Sequence, residues 1–485
     1  MSRIVLVVAL PLLTAFLLPI VARFSRPAAQ AAGPLVLVVM AWLVGDAWLT
    51  QGSGATSVAI GGFLPPLGIV FYVDELALLF ALAVPVMTLL LWPWDGKASG
   101  IQRQSLTLLL AASCSGLALS GDLFNLYVFY ELTAVASYGL AADRGTPAGF
   151  AAAFRYLIVS ALGSVLALVG IALIYFSTGT INLAHLAVLS PELNDPVGLA
   201  AFLCLLVGLG VKAELFPVNA WVPEVYGAAS RRVAGLLAGL VSKLAVLVLL
   251  RVLLLVFPQQ EAHQAMLVLG MLGVLSGEFA AWRARDLTRM LAWSSIGQLG
   301  IVFVGFSVSG EAGVVAGLAV ALHHLVVKPA LFLIAERWGG SLDALDGAAR
   351  VSPLAAALFV LFALSLVGVP PLPGFWAKFL VLSGLAGEGS ALALLGIAVI
   401  LVTTVVEANY LFRTAARLYS GQPAEPRVPA HGVLDLSTAT LLGGVLILTV
   451  VTIEPVWDGL SRLSHGAADV VGYVATVSGR QGEVQ

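Results

Sequence analysis

Long stretches of apolar residues, interrupted by short polar segments, follow one another along almost the whole chain. Most stretches reach about 20 residues, the length that an α-helix needs to cross a bilayer, and none shows the alternating polarity of a membrane β-barrel. The pattern therefore predicts an all-α polytopic membrane protein with about 14 transmembrane helices. The predicted spans are 3–22, 32–50, 68–92, 105–120, 122–142, 149–177, 197–226, 232–257, 264–282, 287–308, 312–337, 353–384, 390–418 and 433–456.

Composition excludes a soluble globular protein. Hydrophobic residues make up 60% of the 485 residues and charged residues only 10%, whereas soluble domains carry about 25%. The net charge is −2 and the sequence contains neither a basic tract nor a Gly-rich phosphate loop, so we expect no nucleic-acid partner. Cys114 and Cys204 lie alone in apolar runs, and no cluster has ligand spacing, so we expect no disulfide, metal or redox cofactor.

Basic residues between the spans indicate the orientation of the chain. They follow the odd-numbered spans, whereas the connections after even-numbered spans lack lysine and arginine, and basic loops remain in the cytoplasm. Both termini are therefore predicted to lie outside. The first span is expected to be retained, because Arg23 and Arg26 follow it, whereas a secretion signal has its positive charge in front. The other basic residues in this pattern are Lys97, Arg103, Arg144, Arg231, Arg232, Arg283, Arg285, Arg289, Arg337, Arg350, Arg413, Arg417 and Arg427.

Lysine is almost confined to the predicted spans. Inserting an ionisable side chain into a membrane costs about 2.5–3.5 kcal/mol, so such a residue usually belongs to an ion or proton pathway. Lysine can lose its proton when desolvated, whereas arginine stays charged. We therefore interpret the span lysines as proton carriers; the alternative for Lys212 is a side chain that extends to the lipid headgroups. The four are Lys212, Lys243, Lys328 and Lys378, and only Lys97 lies in a loop.

Two spans carry prolines that should interrupt their helices. Pro217 follows Lys212 by five residues in the seventh span, and the segment 369–374 precedes Lys378 in the twelfth. Paired interrupted helices build the midplane sites of transporters with inverted repeats, so these breaks indicate such an architecture. The alternative is two unrelated proline kinks, which would not explain a lysine near each one.

Glu131 is the acidic residue expected to partner a buried lysine. It lies at about mid-depth in the fifth span; the alternative is a hydrogen-bonded structural acid. Lys212 and Glu214 are two residues apart and point in different directions, so Lys212 needs a partner from another helix. We expect Glu131 to be that partner. In the eleventh span, by contrast, His324 and Lys328 are four residues apart and share a helical face, from which His323 is turned away.

Four segments, 121–132, 212–223, 287–300 and 323–332, resemble one family. It comprises the antiporter-like, proton-translocating membrane subunits of respiratory complex I, energy-converting hydrogenases and Mrp-type cation/proton antiporters. The resemblance implies three N-terminal helices in 1–104, inverted five-helix repeats in 105–257 and 258–420, and a fourteenth helix with a polar tail in 421–485. The site residues that it implies are Glu131, Lys212, Lys243, His323, His324, Lys328 and Lys378. The sequence departs from the family at Trp293, where tyrosine is usual, and in its additional acids Glu214 and Glu407.

These features favour a proton-conducting subunit of a multisubunit Na⁺/proton antiporter, most like the Mrp D subunit. The alternative is a membrane-arm subunit of a complex I-like NADH-quinone oxidoreductase or of a hydrogenase, and a third candidate is a purely structural subunit. The resemblance implies other membrane subunits as partners, protons and Na⁺ as transported ions, no cofactor, and a bacterial inner membrane. The chain itself carries no redox chemistry, so it would contribute to an enzyme only as a subunit of a translocase.

Overall fold

A computed structural model describes residues 3–52, 54–94, 98–338, 341–421 and 432–479. Lys97 and Arg427, which contribute to the predicted orientation, lie outside these ranges. The contacts divide the chain into two compact units. The first unit comprises Met1–Ala213, Leu240–Ala262 and His465–Gln485, and the second comprises Glu214–Gly239 and His263–Ser464.

The described residues are mostly helical, as expected from the hydrophobic pattern. Nine of their helices are long and apolar enough to cross a membrane. In chain order the elements are α1 Leu6–Phe24, α2 Arg26–Gln51, β1 Thr56–Ala59, β2 Val70–Val73, α3 Glu75–Leu90, α4 Ala98–Leu119, α5 Leu123–Ala141, α6 Pro147–Thr178, α7 Leu183–Leu189, α8 Pro196–Gly210, α9 Val222–Ala228, α10 Arg231–Leu236, α11 Ser242–Leu255, α12 Gln260–Arg283, α13 Leu287–Ser307, α14 Gly310–Trp338, α15 Ala348–Val351, α16 Pro353–Val367, α17 Pro373–Glu388, α18 Ala391–Tyr419, α19 Val433–Val451, α20 Ile453–Ala468 and α21 Val470–Ser478.

Polar residues between the spans act as helix caps, which explains why the helices begin where they do. The side chain of Asp74 accepts a hydrogen bond from the Ala77 amide at 2.8 Å at the start of α3. Asp122 and Asp286 cap α5 and α13 in the same way. A capping oxygen satisfies an amide that the helix itself leaves unpaired.

The two predicted helix interruptions are both present. In the twelfth predicted span, α16 ends at Val367 and α17 begins at Pro373, which leaves Lys378 beyond the break as expected. In the seventh, α8 already ends at Gly210, so Lys212 lies within the turn, and the prediction of a break after the lysine is wrong. Pro217 cannot donate to a carbonyl four residues back, and Glu214 leaves helical geometry with a φ of 57°, so the irregular segment begins earlier.

Hydrophobic periodicity did not predict the small elements. The hairpin pairs β1 with β2 antiparallel, with Ser57 opposite Tyr72. In the polar tail, α21 lies against this hairpin: Ser57 Oγ donates to the Thr476 carbonyl at 3.1 Å, and the rings of Tyr72 and Tyr473 are 3.9 Å apart. Helix α21 is therefore a folded part of the first unit.

Glycines allow α6 and α8 to pack with their backbones in close approach. A Cβ atom on Gly208 would lie 2.6 Å from the Gly163 carbonyl oxygen and 2.6 Å from the Ala167 nitrogen. A Cβ on Gly163 would in turn lie 2.9 Å from the Gly208 carbonyl. Small residues at these positions are typical of helix association in membranes.

We expect Gly208→Ala to destabilise the protein by about 1–3 kcal/mol, because its methyl group would meet backbone atoms that cannot move away independently. The measurement is the unfolding midpoint of the detergent-solubilised protein. The matched control is Gly444→Ala in α19, where a Cβ would meet no atom within 4 Å. Equal midpoints for the two variants would contradict the close packing of α6 on α8.

Candidate functional site

Lys212 lies in the irregular turn after α8 and is almost completely buried, with 1% of its surface exposed. Its Nζ donates a hydrogen bond to Ser160 Oγ at 3.3 Å and lies 3.2 Å from the centre of the Tyr130 ring. The hydroxyl of Tyr130 donates to the Gly208 carbonyl at 2.8 Å, one of the carbonyls left free at the end of α8. A helix end, an aromatic face and a serine therefore hold the amine.

Glu131 follows Tyr130 in α5 and is half-buried. Its Oε1 is buried and makes no hydrogen bond within the described part of the chain. The expected pairing of Lys212 with Glu131 is not present as a hydrogen bond; the amine bonds to Ser160. Sequence reasoning missed Ser160; its only signal was a polar residue inside the apolar sixth span.

Lys243 is the other predicted carrier of the first unit. It is completely buried in the first turn of α11, and its Nζ donates to Ser242 Oγ at 3.1 Å. A π-helical turn, Leu237–Val241, directly precedes this position. Such turns widen a helix locally and are frequent at functional sites.

Glu214 begins the second unit and is held by a residue of that unit. It is buried, with 1% of its surface exposed, and Oε1 accepts a hydrogen bond from the Tyr226 hydroxyl at 2.6 Å. Its positive φ is unusual for a residue with a side chain and costs about 1–3 kcal/mol. Glu214, an acid that the family pattern lacks, is therefore held in place by Tyr226 of α9.

Lys328 is completely buried in the middle of α14. Its Nζ donates to Ser294 Oγ at 2.7 Å and to the Leu291 carbonyl at 3.2 Å, both on α13. The next residue, Pro329, lacks the amide that would bond the carbonyl four residues earlier, which loosens the helix beside the lysine.

The two histidines of α14 have different surroundings. A ring nitrogen of His323, Nε2, lies 2.8 Å from Ser365 Oγ on α16. His324 is completely buried and shares the face of Lys328, four residues later.

Lys378, on α17, forms an ion pair with Glu407 on α18. Its Nζ donates to Glu407 Oε2 at 2.5 Å and to the Val367 carbonyl, at the end of α16, at 3.3 Å. Gln298 donates to the other oxygen, Oε1, at 2.7 Å. Glu407 is 1% exposed. This residue, the second acid by which the sequence departs from the family, is therefore the buried direct partner of a predicted proton carrier.

Each site offers an amine in hydrogen-bonding contact with hydroxyl or carboxylate oxygens. Such contacts can pass a proton without moving the backbone. Among the described residues there is no group of three or more His, Cys, Asp or Glu side chains that could hold a metal ion. The hydrogen-bonded amines are suited to moving protons.

Comparison with known proteins identifies the family. Residues 120–406, more than half of the chain, match the family described as NADH:quinone oxidoreductase/Mrp antiporter, transmembrane. The chain belongs to this family. The predicted resemblance and the all-α membrane fold are thereby confirmed, and both functional alternatives drawn from the family fit this match.

Its relatives include both kinds of complex. The N subunit of the NADH-quinone oxidoreductase of Desulforudis audaxviator is 32% identical over 460 residues, covering 88% of this chain and 89% of that protein. The D subunit of the Na⁺/H⁺ antiporter of Bacillus subtilis is 29% identical, with the same coverage of both chains. A chain of the membrane-bound sulfane sulfur reductase, an archaeal respiratory membrane complex, superposes with a TM-score of 0.91 at 30% identity, covering 98% of this chain and all of that one.

The contact between Lys378 and Glu407 should be measurable as an energetic coupling. We expect Glu407→Leu to destabilise the protein by about 3–5 kcal/mol, because it leaves a buried ammonium group without its counter-charge. Lys378→Met should have a similar cost. The double variant should recover much of the loss, which a double-mutant cycle of unfolding free energies in detergent would quantify. Additive losses would show that the two side chains are not coupled.

Proposed function

We propose that the chain is the proton-translocating subunit of a multisubunit cation/proton antiporter, equivalent to the D subunit of Mrp-type complexes. The observation that carries the proposal is the set of buried amines, each hydrogen-bonded to a hydroxyl or carboxylate oxygen. The shortest of these bonds is the 2.5 Å contact between Lys378 and Glu407. Buried ionisable groups are costly in a membrane, and here they recur on irregular or proline-containing segments. A subunit that only held partners together would have no need for them.

The proposed switch involves Lys212 and Glu131. The amine of Lys212 bonds to Ser160, and the carboxylate of Glu131 has a buried oxygen that makes no hydrogen bond within the described residues. Because Lys212 lies in a turn rather than a helix, its side chain can exchange partners at modest cost. Contact with Glu131 would favour the protonated amine, and contact with Ser160 and Tyr130 would favour proton release.

In the second unit the proposed carriers are Lys328, His323, His324 and the Lys378–Glu407 pair. The Lys328 ammonium gives a proton to the Ser294 hydroxyl, which releases its own proton in the same step. Lys378 exchanges a proton with Glu407 across their hydrogen bond. We further propose that the chain lies in a bacterial inner membrane with both termini outside, and works with other membrane subunits to exchange Na⁺ for protons.

The second candidate is a membrane-arm subunit of a complex I-like oxidoreductase, which the 32% identity to the N subunit of such an enzyme favours. Co-purification separates the two. Small antiporter subunits in the isolated complex would support the first candidate, and quinone-site and iron–sulfur subunits would support the second.

We expect Lys212→Ala and Glu131→Gln each to abolish proton translocation while the complex still inserts and assembles, because removing a buried charge does not hinder insertion. The measurement is the formation of a pH gradient in inverted vesicles, normalised to the amount of assembled complex. Glu192→Gln, at an exposed position, serves as the control. Near-normal transport by Lys212→Ala would overturn the proposal and favour a structural subunit.

A further inference from the structure

Glu278, on α12, is a buried acid outside the set expected from the sequence. Only 1% of its surface is exposed. Oε2 accepts a hydrogen bond from the Tyr410 hydroxyl at 2.9 Å, whereas Oε1 is buried and has no hydrogen-bond partner among the described residues. An incompletely satisfied carboxylate is expensive to bury, and taking up a proton lowers that cost.

The packing of α12 on α13 leaves space for this carboxyl group. A Cβ atom on Gly297 would lie 2.1 Å from Glu278 Oε1. A Cβ on Gly277 would lie 2.4 Å from the Gly297 nitrogen, so the two helices approach closely at this point. The carboxyl group thus lies directly against the α13 backbone.

On α13, the residues around Gly297 contact the two lysine sites of the second unit. Gln298, the next residue, donates to Glu407, the partner of Lys378. Ser294, about one turn earlier, accepts from Lys328.

Helix α18 also contacts both Glu278 and Lys378. Tyr410, which bonds Glu278, lies three residues after Glu407 and therefore about one turn away on the same face. The Tyr410 hydroxyl also interacts with that of Ser294. Glu278 is thus bonded to a tyrosine that lies about one turn from Glu407, and its carboxyl group lies against α13 between Ser294 and Gln298.

We propose that Glu278 is a proton carrier that relays protons between Lys328 and the Glu407–Lys378 pair. The proposal rests on the proposed function. In one direction the Lys328 ammonium gives a proton to the Ser294 hydroxyl, which passes one to Tyr410, and Tyr410 passes its own to the Glu278 carboxylate. Lys328 becomes a neutral amine and Glu278 a carboxylic acid. The acid then gives this proton to the Glu407 carboxylate, so that Glu278 is again a carboxylate and Glu407 becomes a carboxylic acid.

The test compares Glu278→Gln with Glu278→Asp in the assembled complex. Glutamine keeps the size and the acceptor for Tyr410 but cannot carry a proton, whereas aspartate keeps a titratable group and withdraws it by one methylene. A relay predicts that Gln lowers proton translocation at least about tenfold and that Asp retains more activity. A structural role predicts the reverse order, because only Gln preserves the hydrogen bond.

Two controls keep this test separate from that of the proposed function. Glu261→Gln, at an exposed position on the same helix, should transport normally. Lys212→Ala should be inactive: transport by Lys212→Ala would refute the proposed function, whereas loss in Lys212→Ala with wild-type transport in Glu278→Gln would refute the relay alone.

Infrared difference spectroscopy during a pH jump gives a readout independent of transport. A relay predicts a carbonyl band of a protonated carboxylic acid that is absent in Glu278→Gln and shifted in Glu278→Asp. A spectrum unchanged by either substitution would overturn the proposal. If Glu278→Gln fails to assemble, Glu278→Asp alone tests the relay: a shifted band with partial transport supports it, and an unshifted band overturns it.

Discussion

A buried amine in an apolar helix bundle must find polar partners, and much of the described structure depends on meeting this requirement. An unpaired ammonium group in such surroundings would be too costly to keep. Lys212 bonds to Ser160 and lies over the Tyr130 ring, and Lys328 bonds to oxygens of α13. Lys378 bonds to Glu407 and to a carbonyl at the end of α16.

Irregular backbone accompanies each of these amines. Lys212 lies in the turn after α8, Lys243 follows a π-helical turn, Lys328 precedes a proline, and Lys378 lies in the helix that resumes after a break. At a helix interruption, some carbonyl groups lack the backbone amide partners that a regular helix would provide. The same feature that weakens the helix therefore provides part of the polar surroundings that the lysine needs.

The hydrogen-bond partners of these lysines differ in charge. Lys378 has a full carboxylate partner, whereas Lys212 and Lys328 donate to neutral ones. A carboxylate binds the charged amine more strongly than a hydroxyl does. Glu278 is a third buried glutamate of the second unit, beside Glu214 and Glu407.

Much of this was predictable from the sequence, because span length and buried charge leave strong local signals. The fold class, both helix interruptions and the buried position of Lys378 beyond its break followed from hydropathy and prolines. The partners did not follow, since they come from distant segments: Ser160 and Ser294 are ordinary serines until tertiary packing brings them to an amine. Glu278 was missed for the same reason, as its position depends on the glycines that bring α12 against α13. The inverted repeats and the roles of the predicted residues stay predictions.

The most direct test of the central claim, that these buried amines carry protons, is the pH gradient formed by inverted vesicles containing Lys378→Arg. Arginine keeps the positive charge and can bond Glu407, but it does not release its proton. The account predicts that Lys378→Arg blocks translocation as severely as Lys378→Ala in complexes assembled to wild-type amounts. Full activity of Lys378→Arg would show that only the fixed charge matters, and would contradict it.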